Sequence, residues 1–251
     1  MDGSLWTKFR QGCGNLIDGI VTLLYPPSSS CPLCRHEKPV QELLCPACSY
    51  LLEMWREEPH CLRCGRPRSG TGDLCRDCLA TTPPFRLARA AAPYDGPFRQ
   101  AVQKLKFQGA LLLAEPLGQL MAETVLAEPM YTGVELVVPV PLHRRKLRSR
   151  GFNQSSLLGK EIGNRLGLPL EEKVLIKERE TKDQIGLTRE QRLANLRGAF
   201  TVDKPQLVKG KSLLLVDDIF TTGSTVSHSA AALLAAGAEE VSVITWAAGI
   251  N

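Results

Sequence analysis

Asp217 and Asp218 stand side by side after an apolar run, Leu213-Leu214-Leu215-Val216, and before Ile219-Phe220-Thr221-Thr222-Gly223-Ser224-Thr225. Each residue type has a use in that order. The apolar run suits a buried strand. The hydroxyls of Thr221, Thr222, Ser224 and Thr225 and the unpaired N–H groups of a helix start can converge on one anion, where the helix dipole adds positive potential. Gly223 lets the backbone come close. Carboxylates at the carboxyl end of a strand, beside such a cradle, can accept hydrogen bonds from sugar hydroxyls. The combination reads as a site for ribose 5-phosphate. A strand followed by an ordinary Ser/Thr helix cap needs neither the second acid nor four hydroxyls.

A second segment carries the opposite charge. Arg144, Arg145, Lys146, Arg148 and Arg150 crowd one short stretch with no acid among them. Glu135 to Pro141 before it reads as a strand, and a helix through Leu158, Ile162 and Leu166 follows, ended by Gly167. Strand, basic loop and helix supply what pyrophosphate needs, because several negative charges must be neutralised together. An exposed nucleic-acid or solvated patch is the other reading, and the two are compatible. Residues 177–200 are polar and charged, with Arg179, Lys182, Arg189 and Arg192 spread along them and a short helix placed near Arg192, Asn195 and Leu196. They suit a mobile lid over a reactive substrate, or a plain solvated excursion.

Eight of the nine cysteines form C-x-x-C pairs: Cys31/Cys34, Cys45/Cys48, Cys61/Cys64 and Cys75/Cys78. The second two pairs repeat the spacing of the first two. Two such knuckles complete one closed tetrahedral zinc site, so the repeat implies two structural Zn²⁺ ions. Local pairing (Cys31, Cys34, Cys45, Cys48, then Cys61, Cys64, Cys75, Cys78) closes shorter loops than crossed pairing and is favoured on entropy. His36 and His60 lie near enough to substitute. Arg35, Lys38, Arg63, Arg66, Arg68 and Arg76 make the region basic, as a solvated surface or a nucleic-acid contact.

These sites need a scaffold. Strands at 87–94, 135–141, 212–216 and 241–246 alternate with helical patterns, which implies a parallel α/β sheet flanked by helices. Prolines divide the chain into an N-terminal amphipathic helix and linker (1–30), a double zinc-ribbon domain (31–82) and a larger domain (83–251). The 4–25 helix packs on the body or lies on a membrane surface, and Cys13 in it reads as a small buried residue. At 251 residues and 43% hydrophobic, the chain can bury a substantial core. A net charge of +5 suits a phosphate-rich ligand or nucleic acid. No run approaches the ~18 apolar residues of a membrane span and no secretory signal is seen, so a reducing, cytoplasmic setting is expected.

The stretch from Leu213 to Thr225 resembles the PRPP signature of type I phosphoribosyltransferases, with Phe220 bulkier than the usual aliphatic. The doubled cysteine ribbon, Arg148-Ser149-Arg150-Gly151-Phe152-Asn153-Gln154, and Gln184-Ile185-Gly186-Leu187-Thr188-Arg189 with Arg192, Asn195 and Gly198-Ala199-Phe200 together resemble the ComF family of competence-associated proteins. One departure is Asp183 before Gln184, where the family usually has proline. The resemblance implies a type I phosphoribosyltransferase-like fold with an N-terminal zinc ribbon. It implies a part in DNA uptake during natural transformation, with single-stranded DNA and competence or recombination proteins as partners. It also implies that Asp217 and Asp218 contact the ribose 2′ and 3′ hydroxyls, that Thr221 to Thr225 hold the 5-phosphate, and that Mg²⁺ accompanies PRPP. Two functions follow: phosphoribosyl transfer with release of pyrophosphate, or a non-catalytic adaptor for nucleic acid that keeps the PRPP site as sensor or scaffold.

Overall fold

A computed structural model describes residues 30–39, 43–68, 70–180, 196 and 198–249. Helices α1 (Pro46–Glu57) and α2 (Arg76–Ala80) belong to the cysteine region. There follow β1 (Ala88–Pro93), α3 (Gly96–Gln108), α4 (Ala114–Ala127), β2 (Leu136–Pro139), α5 (Arg144–Arg150) and α6 (Gln154–Leu166). The remaining elements are β3 (Leu175–Lys177), β4 (Phe200–Val202), β5 (Ser212–Phe220), α7 (Ser224–Ala235) and β6 (Glu240–Ala248). The predicted 4–25 helix, Cys13, and the lid residues Lys182, Arg189 and Arg192 lie outside the described residues.

Among the described residues the main sheet is parallel, in the order β1-β6-β5-β2. Leu213 to Val216 and Val241 to Ala248 are buried almost throughout, as strands covered on both faces require. Helices α4 and α6 pack on each other beside the sheet, and α7 lies against β4, β5 and β6. Two buried aromatic residues have satisfied polar tips: Trp246 donates to the Phe98 carbonyl at 3.0 Å and Tyr131 to that of Val243 at 2.6 Å.

Three elements differ from the sequence reading. Strand β5 runs on to Phe220 rather than ending at Val216, because β6 stays in register beside it up to the pair Phe220 and Ala248. The basic segment is helical, not a loop. Its Arg, Lys and Leu residues favour helix, the His143 ring accepts the Arg145 N–H, and Gly151 (φ +85°) closes the turn. Finally, β3 and β4 form a small antiparallel pair flanking the charged segment. Strands of three residues are too short to show an alternating pattern.

The cysteine region caps the outer edge of β1. The Ala88 N–H donates to the Arg63 carbonyl at 2.7 Å, and the Ala90 carbonyl accepts the Trp55 indole N–H at 3.1 Å. Arg89 reaches back to the Leu62 carbonyl at 3.0 Å. Gly65 permits this approach, since a Cβ there would sit 2.4 Å from the Ala88 oxygen. One apolar core therefore runs from the ribbon cysteines through Trp55 and Phe85 into the sheet.

Candidate functional site

Neighbouring residues of a strand point to opposite faces, so the two aspartates meet different helices. Asp217 Oδ1 accepts the Ser155 hydroxyl of α6 at 3.0 Å and the Asp218 N–H at 2.9 Å. Asp218 Oδ1 pairs with Lys106 Nζ of α3 at 2.9 Å. Both carboxyls are buried, at 7% and 5% exposure. Asp218 Oδ2 is buried with no partner among the described residues. Burial, and then the charge of Asp218, push the Asp217 carboxyl up to about 7; the Asp218 N–H, Lys106 and Ser155 pull the other way.

The aspartates open on a cleft of about 770 Å³ whose walls include Lys106, Arg145, Lys146, Arg150, Thr221 and Thr225. Helix α5 splits its charges by the helical repeat. Arg145, Lys146 and Arg150 reach the cleft, while Arg144 and Arg148, four residues apart on another face, are exposed outside its lining. Arg145 also pairs with Glu180 at 3.2 Å, so the start of the charged segment meets the cleft through Lys177 and Glu180. Arg179 is exposed beside them and is not part of the lining.

The hydroxyl loop is divided as well. Thr221 and Thr225 line the cleft, whereas Thr222, Gly223 and Ser224 line a second cavity behind it. The Thr222 and Ser224 hydroxyls lie 2.8 Å apart, and Gly223 caps α7 at φ +75°. The sequence reading missed Lys106 and Ser155. Lys106 had a signal, since it stands eight residues after Phe98 on the apolar face of its helix, where a charge needs a buried partner. Ser155 had none.

The cysteines gather as Cys31, Cys34, Cys45, Cys48 and as Cys61, Cys64, Cys75, Cys78, with all ligand atoms of a group within 4.8 Å of one another. The sulfurs of Cys34 and Cys45 are 3.6 Å apart, and those of Cys64 and Cys75 3.7 Å. A tetrahedron of Zn–S bonds near 2.3 Å has edges of about 3.8 Å, so four thiolates at this spacing fit one zinc each. The pairing is local.

A parallel sheet with two acids near the carboxyl end of a central strand, followed by a hydroxyl-rich loop at a helix start, defines the phosphoribosyltransferase-like class. Comparison agrees: residues 153–250 match the phosphoribosyl transferase domain and residues 20–79 the double zinc ribbon domain. The chain is 36% identical over 186 residues to DNA utilization protein YhgH of Salmonella typhimurium, covering 73% of this chain and 81% of that one. It is 33% identical over 217 residues to the protein of that name in Escherichia coli K12, covering 85% and 94%. It is 28% identical over 205 residues to Competence protein F of Haemophilus influenzae, covering 80% and 88%. The chain belongs to the ComF family, in which a double zinc ribbon precedes a phosphoribosyltransferase-like domain. Among the described residues, no helix is long and apolar enough to cross a membrane.

Proposed function

We propose that the protein binds PRPP in the cleft and transfers its phosphoribosyl group, with release of pyrophosphate, in the handling of incoming single-stranded DNA in the cytoplasm. One observation carries the reading: two adjacent buried carboxyls share a cleft with Arg145, Lys146 and Arg150 and with two hydroxyls of the loop. Asp217 and Asp218 would take the ribose hydroxyls and favour positive charge developing on the sugar. Thr221 and Thr225 would hold the 5-phosphate, and the three basic residues of α5 the pyrophosphate. Arg179 and the residues that follow it would serve as the lid. Asp217 and Asp218 would also hold the Mg²⁺ that accompanies PRPP, and that ion would supply positive charge favouring departure of pyrophosphate. The bond from the anomeric carbon to pyrophosphate breaks, and the acceptor forms the new one. The DNA role draws on the names of the relatives and on the exposed arginines of α5.

The Lys106–Asp218 pair favours a second reading, because an acid already neutralised by lysine need not meet a substrate. In that reading the protein is an adaptor that binds nucleic acid and keeps PRPP as a signal. Thermal stabilisation by PRPP and Mg²⁺, and pyrophosphate release in the presence of free bases or single-stranded DNA, separate the readings. Transfer predicts both in the native chain and neither in Asp217→Ala/Asp218→Ala. Stabilisation without release supports the adaptor. Absence of both overturns the PRPP site itself.

A further inference from the structure

We propose that the second cysteine tetrad, and not the first, holds the phosphate loop in its binding shape through Phe85 and Phe220, so that its metal content governs ribose-phosphate binding. The inference rests on reading the cleft as a PRPP site.

The loop has a front and a back. Thr221 and Thr225 face the cleft, and Thr222, Gly223 and Ser224 face a cavity of about 260 Å³. The far wall of that cavity is the second ribbon: Cys64, Arg66, Asp77 and Cys78, followed by residues 81–85. No cysteine of the first tetrad lines either space.

A chain of contacts crosses this back wall. Arg63 lies between Cys61 and Cys64 in the metal knuckle, and its guanidinium donates to the Phe85 carbonyl at 3.0 Å. The Phe85 ring meets Phe220 edge-on at 6.3 Å between centroids. The Phe220 ring in turn underlies Gly223, where an added Cβ would lie 2.6 Å from the ring tip. Gly223 has left-handed backbone, which the ring seats from below. Arg66, 6% exposed, ties the ribbon together by donating to Asp77 and to the Cys75 sulfur. Phe220, bulkier than the usual residue at its position, thus joins the loop to the ribbon. Phe85 and Phe220 act as positioning residues that touch no substrate.

If zinc leaves the second tetrad, the knuckle around Arg63 loses its anchor, Phe85 is released, and the support beneath Gly223 goes with it. Loosening of the loop weakens the hold on the 5-phosphate. Contacts to pyrophosphate come from α5, which lines the cleft but not the rear cavity, and are spared.

The test uses the full chain with Cys78→Ser for the second tetrad, Cys48→Ser for the first and Phe85→Leu for the link with both tetrads intact. Amide exchange in the segment 219–226 is measured without ligand. Affinities for ribose 5-phosphate and for inorganic pyrophosphate are measured by calorimetry, with zinc content determined for each protein. Exchange in 219–226 should quicken in Cys78→Ser and Phe85→Leu and much less in Cys48→Ser. Ribose 5-phosphate affinity should fall by about tenfold in the same two variants, while pyrophosphate affinity holds within about twofold. Equal effects of the two cysteine variants on exchange, or unchanged exchange in Phe85→Leu, overturn the link. Failure of the native chain to bind ribose 5-phosphate instead removes the PRPP reading, while exchange measured without ligand still decides whether the second tetrad holds the loop, so the two failures are told apart.

Discussion

Asp217 keeps its proton to about pH 7 in the folded chain, against 3.8 for an unperturbed carboxyl. The folded state therefore holds this proton more tightly than the unfolded one. That contribution to stability is complete below about pH 4 and is lost as pH rises through about 7. Asp217→Asn removes the charge but keeps an oxygen for Ser155 and for the Asp218 N–H. Between about pH 5 and pH 8 the native chain should lose more of its melting temperature than Asp217→Asn does, by several degrees in differential scanning calorimetry. Parallel curves for the two proteins would show that Asp217 ionises as an ordinary surface acid.

Helix α5 shows what a linear sequence conceals at the scale of an element. Five basic residues in a row of seven read as one anion site, yet the helical repeat sends Arg145, Lys146 and Arg150 into the cleft and leaves Arg144 and Arg148 outside. The outer pair can meet a polyanion without entering the cleft. Arg144→Gln/Arg148→Gln should leave PRPP stabilisation intact and lower the slope of log affinity for single-stranded DNA against log salt by about 1.4, at about 0.7 per lost phosphate contact. An unchanged slope would place the DNA elsewhere. The long elements were legible because their apolar residues recur with strong periodicity: all four strands of the main sheet and helix α6 stand close to where the pattern puts them, and α7 starts at the hydroxyl loop as expected. The acid pair and cysteine tetrads were legible because their chemistry is local in sequence. Ser155 and the split of the hydroxyl loop were not, since each depends on which distant element packs behind it. Phe220 looked like a minor departure until Gly223 was seen to rest on its ring.

Over the whole molecule, the ribbon and the sheet share one core, although proline-rich residues at 81–84 suggest a hinge between separate units. Trp55 sits on that seam, 4% exposed, with its indole donating to the β1 backbone. Trp55→Ala should cost about 3–5 kcal/mol. It should lower a single unfolding transition of the whole chain, not only that of the ribbon. Calorimetry that resolves two transitions, with the upper one unmoved, would show that the ribbon and the sheet melt separately.

The cap over β1 also bears on how the protein is made. An uncovered strand edge offers a row of N–H and C=O groups to any passing chain and invites aggregation. Here the cover lies upstream of the strand it protects, so the ribosome delivers the cover before the edge. Zinc supply during translation then decides whether β1 emerges beside a finished cover or beside loose thiols. Cells starved of zinc should accumulate this protein as insoluble material synthesised after the onset of starvation, while molecules completed earlier stay in solution.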